Sequence, residues 1–349
     1  MSDEAEARRS RATAEMVAKL ANVSRVAVSR AFNPEASLRA DKRARILSVA
    51  RELNYTPDRA ARALVTRRSH LIGMIVPDVF SPWESQEVDA LTSALQAEGF
   101  ATLLFKTRTD MSMDERLLTY MRGFNPDSVI AFTENVRPEV LSQFLDSCVP
   151  IYINYLLEDG GAVEAEAPTD VLYDRLDVNQ WQGMDQAVAL LAGYGCRRIA
   201  YISGKKNSLA EFARYRTLQR LMARRKLPAP TVVQGDFSYR QGYAATIDLF
   251  RLHGGADAIF AANDESAFGA LDALRHELGL GVPDAVRVVG FDDIVQSGWK
   301  SYDLTTVRID VHERVSALVR LILRRLSAPD APTMSEQVGT KLVVRGTVG

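Results

Sequence analysis

Two groups of residues in this 349-residue chain have the types and spacing for recognition chemistry. The first is Arg25, Val26, Ser29 and Arg30, which fall on the outward side of one short helical segment. An arginine there can donate two hydrogen bonds to O6 and N7 of a guanine. Thr13 and Ser24 stand where helices begin, and a helix N-terminus carrying a hydroxyl suits a phosphate oxygen. The second group follows the ends of apolar runs: Asp78 and Trp83, Asp236 and Phe237, Asn263 and Asp264, Asp292 and Asp293, with Arg214 in the turn or helix after Ser203-Gly204. Aromatic faces beside carboxylates and an arginine suit a sugar or similar polyhydroxylated ligand, through stacking and paired hydrogen bonds. Acids at such positions also cap helices, so this group is read as ligand contacts and caps mixed together.

Three short helices over residues 13–53 are expected to hold the first group. Thr13 caps a helix to Leu20, with Val17 and Leu20 on its inner face, and Asn22 occupies the interruption because it tolerates positive φ. Ser24 caps a second helix through Phe32, with Val28 and Ala31 inward, and Asn33-Pro34 stops it. A third, over 42–53, places Ile46, Val49, Ala50 and Leu53 on one stripe. The charge is segregated to match. Residues 1–68 hold 15 Lys and Arg against 8 Asp and Glu, a net +7, whereas the remainder is −8, within a total of −1. A basic head on an acidic body is the electrostatic footprint of a nucleic-acid-binding head.

After Arg68 the chain alternates apolar strands with helical runs. Strand candidates are 71–76, 102–105, 128–132 and 150–154, then, past an acidic Gly/Ala-rich stretch at 158–170, 198–203, 231–235, 258–262 and 287–291. That order predicts parallel sheets covered on both faces, with ligand bound beyond the carboxyl ends of the strands. The helical stripe Val88, Leu91 and Leu95 is a candidate dimer face, core burial being the other account of it.

Several classes fall away. Hydrophobic residues make up 47% and charged residues 25%, an ordinary globular composition. Two cysteines, Cys148 and Cys196, are too few for a disulfide scaffold or a cysteine-based zinc site. The first twenty residues lack an apolar secretory core, and no uncharged apolar run reaches the roughly 18 residues of a membrane span. A soluble, cytoplasmic protein is expected, without membrane partners. The four histidines are scattered; Gly193-Tyr194-Gly195 lacks the third glycine and a preceding strand; Gly204-Lys205-Lys206 lacks the rest of a phosphate loop; no G-x-S-x-G occurs. No catalysis, metal or cofactor is therefore expected.

The runs Thr13–Ala18, Ala21–Ser24, Val28–Asn33 and Leu53–Leu64 resemble the headpiece of LacI/GalR-family bacterial repressors. The resemblance continues through the body. It implies an N-terminal all-α helix-turn-helix headpiece at 1–57, a hinge at 58–68, and an α/β two-lobed, periplasmic-binding-protein-like core with parallel sheets at 69–349. The N-lobe would take about 69–170 and 303–330, the C-lobe about 171–302 and 331–349. Arg25 and Val26 would open the recognition helix as base readers and Arg30 would be its other arginine. Asn33 and Arg59 would lie with the DNA-facing set, Tyr55 would contact the backbone, and Leu64 would be a wedge in a minor-groove step. In the body, Asp264 of Ala262-Asn263-Asp264 would be the ligand carboxylate, joined by Arg214, Trp83, Asp78 and Phe237. Asn179 and Trp181 would form another pocket segment. Departures include Asn22 for Gly, Asp58 for Asn, Glu84 for an aromatic, Thr217 for Gly and Tyr302-Asp303 for Pro-Pro. The function implied is a homodimeric transcriptional repressor of a pseudo-palindromic double-stranded operator, controlled by a carbohydrate-like effector. The competing reading is a solute-binding protein or sugar-processing enzyme on the same lobes, for which the basic head has no purpose.

Overall fold

The computed structural model describes residues 12–33, 36–57, 68–77, 80–107, 115–132, 140–141, 145, 148–157 and 171–349. Two units divide the chain, Met1–Ser69 and His70–Gly349. Expectations that rest on Pro34, Arg59, Leu64, Asp78 and the hinge segment 58–67 lie outside the described residues.

In the first unit, α1 (Ala14–Leu20) begins where Thr13 accepts a hydrogen bond from the Met16 amide, and α2 (Arg25–Ala31) where Ser24 accepts one from Ala27. Each cap satisfies an amide that the first turn leaves without a partner. Asn22 takes φ 48° between them. α3 (Ala40–Glu52) begins two residues before the expected start and has no side-chain cap. Val17, Ala18, Ala21, Ala27, Val28, Ala31, Ile46 and Ala50 are buried together, with Val49, Leu53, Phe32 and Tyr55 packed around them. Leu20 contradicts its expected inward placement: it is 64% exposed, and Ala18 and Ala21 fill the inner face beside Val17. Small alanines there let the two helices approach closely, leaving no room for a leucine. Arg43 ties the end of α2 to α3 by donating to the carbonyls of Ala31, Asn33 and Ala36.

In the second unit the chain order is β1 (Leu71–Val76), α4 (Pro82–Ala97), β2 (Ala101–Lys106), α5 (Glu115–Gly123), β3 (Ser128–Ala131), β4 (Ile151–Leu156), β5 (Asp174–Asn179) and α6 (Trp181–Gly193). There follow β6 (Ile199–Ile202), α7 (Leu209–Arg224), β7 (Thr231–Val233), α8 (Tyr239–Leu252), β8 (Ala258–Ala261), α9 (Asp264–Asp272), β9 (Arg287–Asp292), β10 (Thr305–Ile309), α10 (Val311–Ser327) and β11 (Ser335–Val343). The strands run β2-β1-β3-β4-β5-β11-β10-β9-β8-β6-β7. Every neighbour pair is parallel except β10–β11. β11 joins the halves, pairing with β5 over Ser335–Gly339 and with β10 over Thr340–Val343.

The lobe boundaries differ from expectation. Asp174–Asn179 completes the first sheet beside β4 rather than opening the second lobe, and Thr305–Ile309 closes the second sheet beside β9. α10 returns to the first lobe, where its arginines meet carboxylates of α4 and β5. Leu91 and Leu95 are wholly buried in the protomer's own core and Val88 packs against it, so this stripe is core and not a free dimer face. No helix among the described residues is long and apolar enough to cross a membrane.

Candidate functional site

Between the two lobes of the second unit lies a cleft of ≈ 350 Å³. Its walls are the carboxyl ends of the strands and the loops that follow them: Pro77 after β1, Phe132 after β3, Tyr155 in β4, Lys205 after β6, Asp236 and Phe237 after β7, Asn263 after β8, and Asp292 closing β9. Helices add Trp83, Glu84 and Glu87 from α4, Arg214 from α7, Glu265 from α9 and Arg314 from α10. This is where open parallel sheets place ligands, because strand ends leave backbone and loop side chains free to converge.

Arg214 is the best-defined group. Ser208 caps α7 by accepting from the Glu211 amide, and Glu211 accepts in turn from the Gly204 amide and the Tyr201 hydroxyl, 2.5 and 2.9 Å away. That network fixes the start of α7, from which Arg214 reaches across. Its Nη1 donates to the Ala262 carbonyl at 2.6 Å and its Nη2 to the Asp292 carboxylate at 3.1 Å, while the guanidinium lies 3.8 Å above the Phe291 ring. Asp292 is buried, and burial pushes its carboxyl well above the usual range, with Arg214 opposing the shift. Both Asp292 (φ 111°) and Phe237 (φ 72°) adopt backbone angles that side-chain-bearing residues avoid, a strain found chiefly where a side chain must be aimed. Asn263 holds the Phe237 loop by donating to its carbonyl at 2.9 Å. Gly204 makes room for the Phe237 ring: a Cβ there would stand 2.1 Å from Cζ.

Of the candidate ligand contacts expected from sequence, Trp83, Arg214, Asp236, Phe237, Asn263 and Asp292 line the cleft. Asp264, Asn179 and Trp181 do not. Asp264 is the first residue of α9 and points beneath β9, where Gly290 leaves it space. Its carboxylate accepts from the Ile294 amide and the hydroxyls of Ser297 and Thr306, so it ties three segments together beneath the cleft wall. Asn179 ends β5 at the crossover with β11, and its Oδ1 accepts from the Trp181 amide. The Trp181 ring lies under the Arg224 guanidinium, 4.9 Å from centroid to carbon.

Sequence reasoning missed Glu87 and Arg314, a buried ion pair between α4 and α10 in the cleft floor. Each is a charged residue at the start of an apolar stretch of its helix's buried face, Glu87 before Leu91 and Leu95, Arg314 before Leu318 and Leu321. That pair of charges was the available signal. Tyr155, Phe132 and Lys205 have no comparable mark in the sequence.

In the first unit, Arg25, Val26, Ser29 and Arg30 all lie exposed on α2, with Val26 at 61%. Ser24 and Thr13 are exposed at the N-termini of α2 and α1, each hydroxyl keeping its proton to donate while its oxygen caps the helix. Asn33 is half-buried after α2, its carbonyl held by Arg43. Tyr55 is half-buried edge-on to Phe32, ring centroids 5.8 Å apart.

A capped helix pair with an exposed basic face, followed by a two-lobed α/β core with a ligand cleft, defines a DNA-binding regulator with an effector domain. Residues 15–58 match the bacterial regulatory proteins of the lacI family, and residues 188–348 match the periplasmic binding protein-like domain. The chain is 32% identical to the HTH-type transcriptional regulator CelR of Thermobifida fusca over 97% of its own length and 98% of that protein's. It is 26% identical to the ribose operon repressor of Halalkalibacterium halodurans, over 95% of both. In structure it resembles a lac repressor dimer bound to operator and the anti-inducer ONPF, with a TM-score of 0.83 at 22% identity, covering 97% of this chain and 99% of that one. It also resembles a CelR–cellobiose complex, with a TM-score of 0.69 at 28% identity, covering 97% and 100%. The chain belongs to the LacI family of bacterial transcriptional regulators.

Proposed function

We propose that this regulator is a repressor that reads a pseudo-palindromic operator as a homodimer, and that an uncharged saccharide bound between its lobes sets its affinity for DNA. The observation that carries the effector class is the cleft itself: aromatic faces of Trp83 and Phe237 around a buried Arg214–Asp292 pair at the strand ends. Stacking on apolar sugar faces plus donors and acceptors for hydroxyls is what such a wall supplies. The saccharide-bound CelR complex, from a relative spanning the whole chain, supports the same class. Base reading falls to Arg25 and Val26, with Arg30 and Ser29 beside them and Thr13, Ser24 and Tyr55 at the backbone. One head covers too few base pairs for specificity, which is the reason for a dimer. The ligand acts through its different affinity for the DNA-competent and DNA-incompetent states, and is bound without being transformed. Calorimetric titration of cellobiose, ribose and a free purine base into the full chain tests this. The saccharide reading requires a sugar to bind and Asp292→Asn to weaken it; binding of the purine alone would overturn it.

A further inference from the structure

α10 carries two buried arginines, and only one of them is finished. Arg325 is fully occupied: its Nε and Nη2 donate to Asp174, its Nη1 to the carbonyls of Pro329 and Ala331, and Nη2 again to that of Pro332. It pins the end of α10 to β5, and its purpose is structural. Eleven residues earlier Arg314, 3% exposed, is held at Nε by Glu87, yet its buried Nη1 has no hydrogen-bond partner among the described residues. A buried N–H without a partner costs on the order of a whole hydrogen bond, so folds seldom leave one. Arg314 lines the cleft, with its guanidinium carbon 5.9 Å from the centre of the Trp83 ring. On the facing lobe Arg214 also lines the cleft, and its Nε too is buried without a hydrogen-bond partner among the described residues.

The charges then narrow what can fill the site. Arg214 is paired with Asp292 and Arg314 with Glu87, both pairs being buried. Each floor guanidinium already faces a buried carboxyl group, and the floor keeps hydrogen-bond donors to spare. Around it stand Glu84, Asp236 and Glu265 against Lys205. Such a cleft accepts oxygens that carry no formal charge and disfavours anions.

We infer that Arg314, held by Glu87, is an effector-binding residue of the first lobe that donates to a hydroxyl or ether oxygen of an uncharged saccharide, opposite Arg214, so that uronic acids and sugar phosphates are rejected. This rests on the saccharide reading of the cleft. It assigns a role to two residues whose charges stand at the start of apolar stretches of buried helix faces, and it explains why the ion pair sits at the cleft rather than deeper in the core.

The test is calorimetric titration of the full chain with cellobiose, ribose, glucuronate and glucose 6-phosphate, repeated on two variants. Glu87→Leu with Arg314→Met removes donor and charge together and leaves an apolar contact, an exchange that buried ion pairs tolerate well. Arg314→Lys keeps the charge beside Glu87 but removes the guanidinium fork. The expected result is that a neutral sugar binds the wild type best. Both variants should then bind it roughly tenfold to a hundredfold more weakly, with the double variant melting close to the wild type. If both variants bind the sugar within about twofold of wild type, Arg314 is not a ligand group, although the saccharide reading survives. Tighter binding of glucuronate or the sugar phosphate than of neutral sugars overturns the charge argument. Should no sugar in the series bind the wild type, the saccharide reading falls and this inference with it.

Discussion

Replacing Asp264 with asparagine should remove a large part of the pH dependence of the second unit's stability while leaving ligand affinity nearly unchanged. Burial raises the Asp264 carboxyl from its usual 3.8 to about 7, overriding the hydrogen bonds from Ser297, Thr306 and the Ile294 amide that favour the anion. The folded chain therefore keeps this proton up to about pH 7, whereas the unfolded chain releases it near pH 3.8. Across that interval the folded state binds more protons, so stability from this group is full below pH 3.8 and is lost as pH rises to about 7. At about 1.4 kcal/mol per unit, the whole interval is worth about 4 kcal/mol, and the part between pH 5 and 7 about 3 kcal/mol. Asparagine has nearly the same shape and can still accept from Ile294 while donating to Thr306. The assay is urea unfolding of the wild type and Asp264→Asn at pH 5 and pH 8, taking the difference between the two proteins at each pH. Glu87, Glu211 and Asp292 are also raised by burial, but those shifts are largely common to both proteins and cancel in the comparison. The wild type should lose about 3 kcal/mol relative to the variant between the two pH values. A difference that does not change with pH would refute the reasoning.

Other substitutions separate the roles assigned above. Gly204→Ala places a Cβ 2.1 Å from the Phe237 ring and should displace it, weakening sugar binding at least tenfold by calorimetry with a smaller effect on melting temperature. Arg325→Met leaves Asp174 buried and unpaired and should cost about 3–5 kcal/mol in urea unfolding, against little for a surface arginine such as Arg251→Met. Ser24→Ala removes the cap of α2 and should destabilise the head by about 1 kcal/mol, seen as an earlier loss of its helical circular dichroism. Arg25→Ala should flatten base preference at one half-site position by about 1–3 kcal/mol while affecting random DNA much less, measured by competition anisotropy.

What was legible in the sequence depended on how local the physics was. Thr13 and Ser24 cap their helices because a cap is decided within three residues, and the continuous apolar runs at Leu71–Val76 and Ala258–Ala261 could only be strands buried on both faces. β5 was missed because Asp174-Arg175-Leu176-Asp177 does not look like an interior strand. Its acids find their hydrogen-bond partners far away, Asp174 in Arg325 and Asp177 in Asn154, with Arg175 the one local charge beside Asp177. Asp264 and Asp292 both follow strands, and nothing local distinguishes the carboxylate that turns under β9 from the one that closes the cleft. Gly290, which makes space for Asp264, was the discriminating residue, and its meaning appears only once β9 and α9 are packed. Leu20 failed for a related reason: helical period places it near the inner face, but the alanines beside it set how close the helices come.

The most direct test of the central claim is selection of bound duplexes from a random DNA pool by the full chain at near-physiological salt, followed by titration of the selected site with and without the sugar that binds the cleft. An enriched pseudo-palindrome, whose affinity shifts at least fivefold when the sugar is present and no longer shifts in Asp292→Asn, is the predicted result. Enrichment of no sequence with or without sugar, or an enriched site indifferent to every ligand that occupies the cleft, would contradict it.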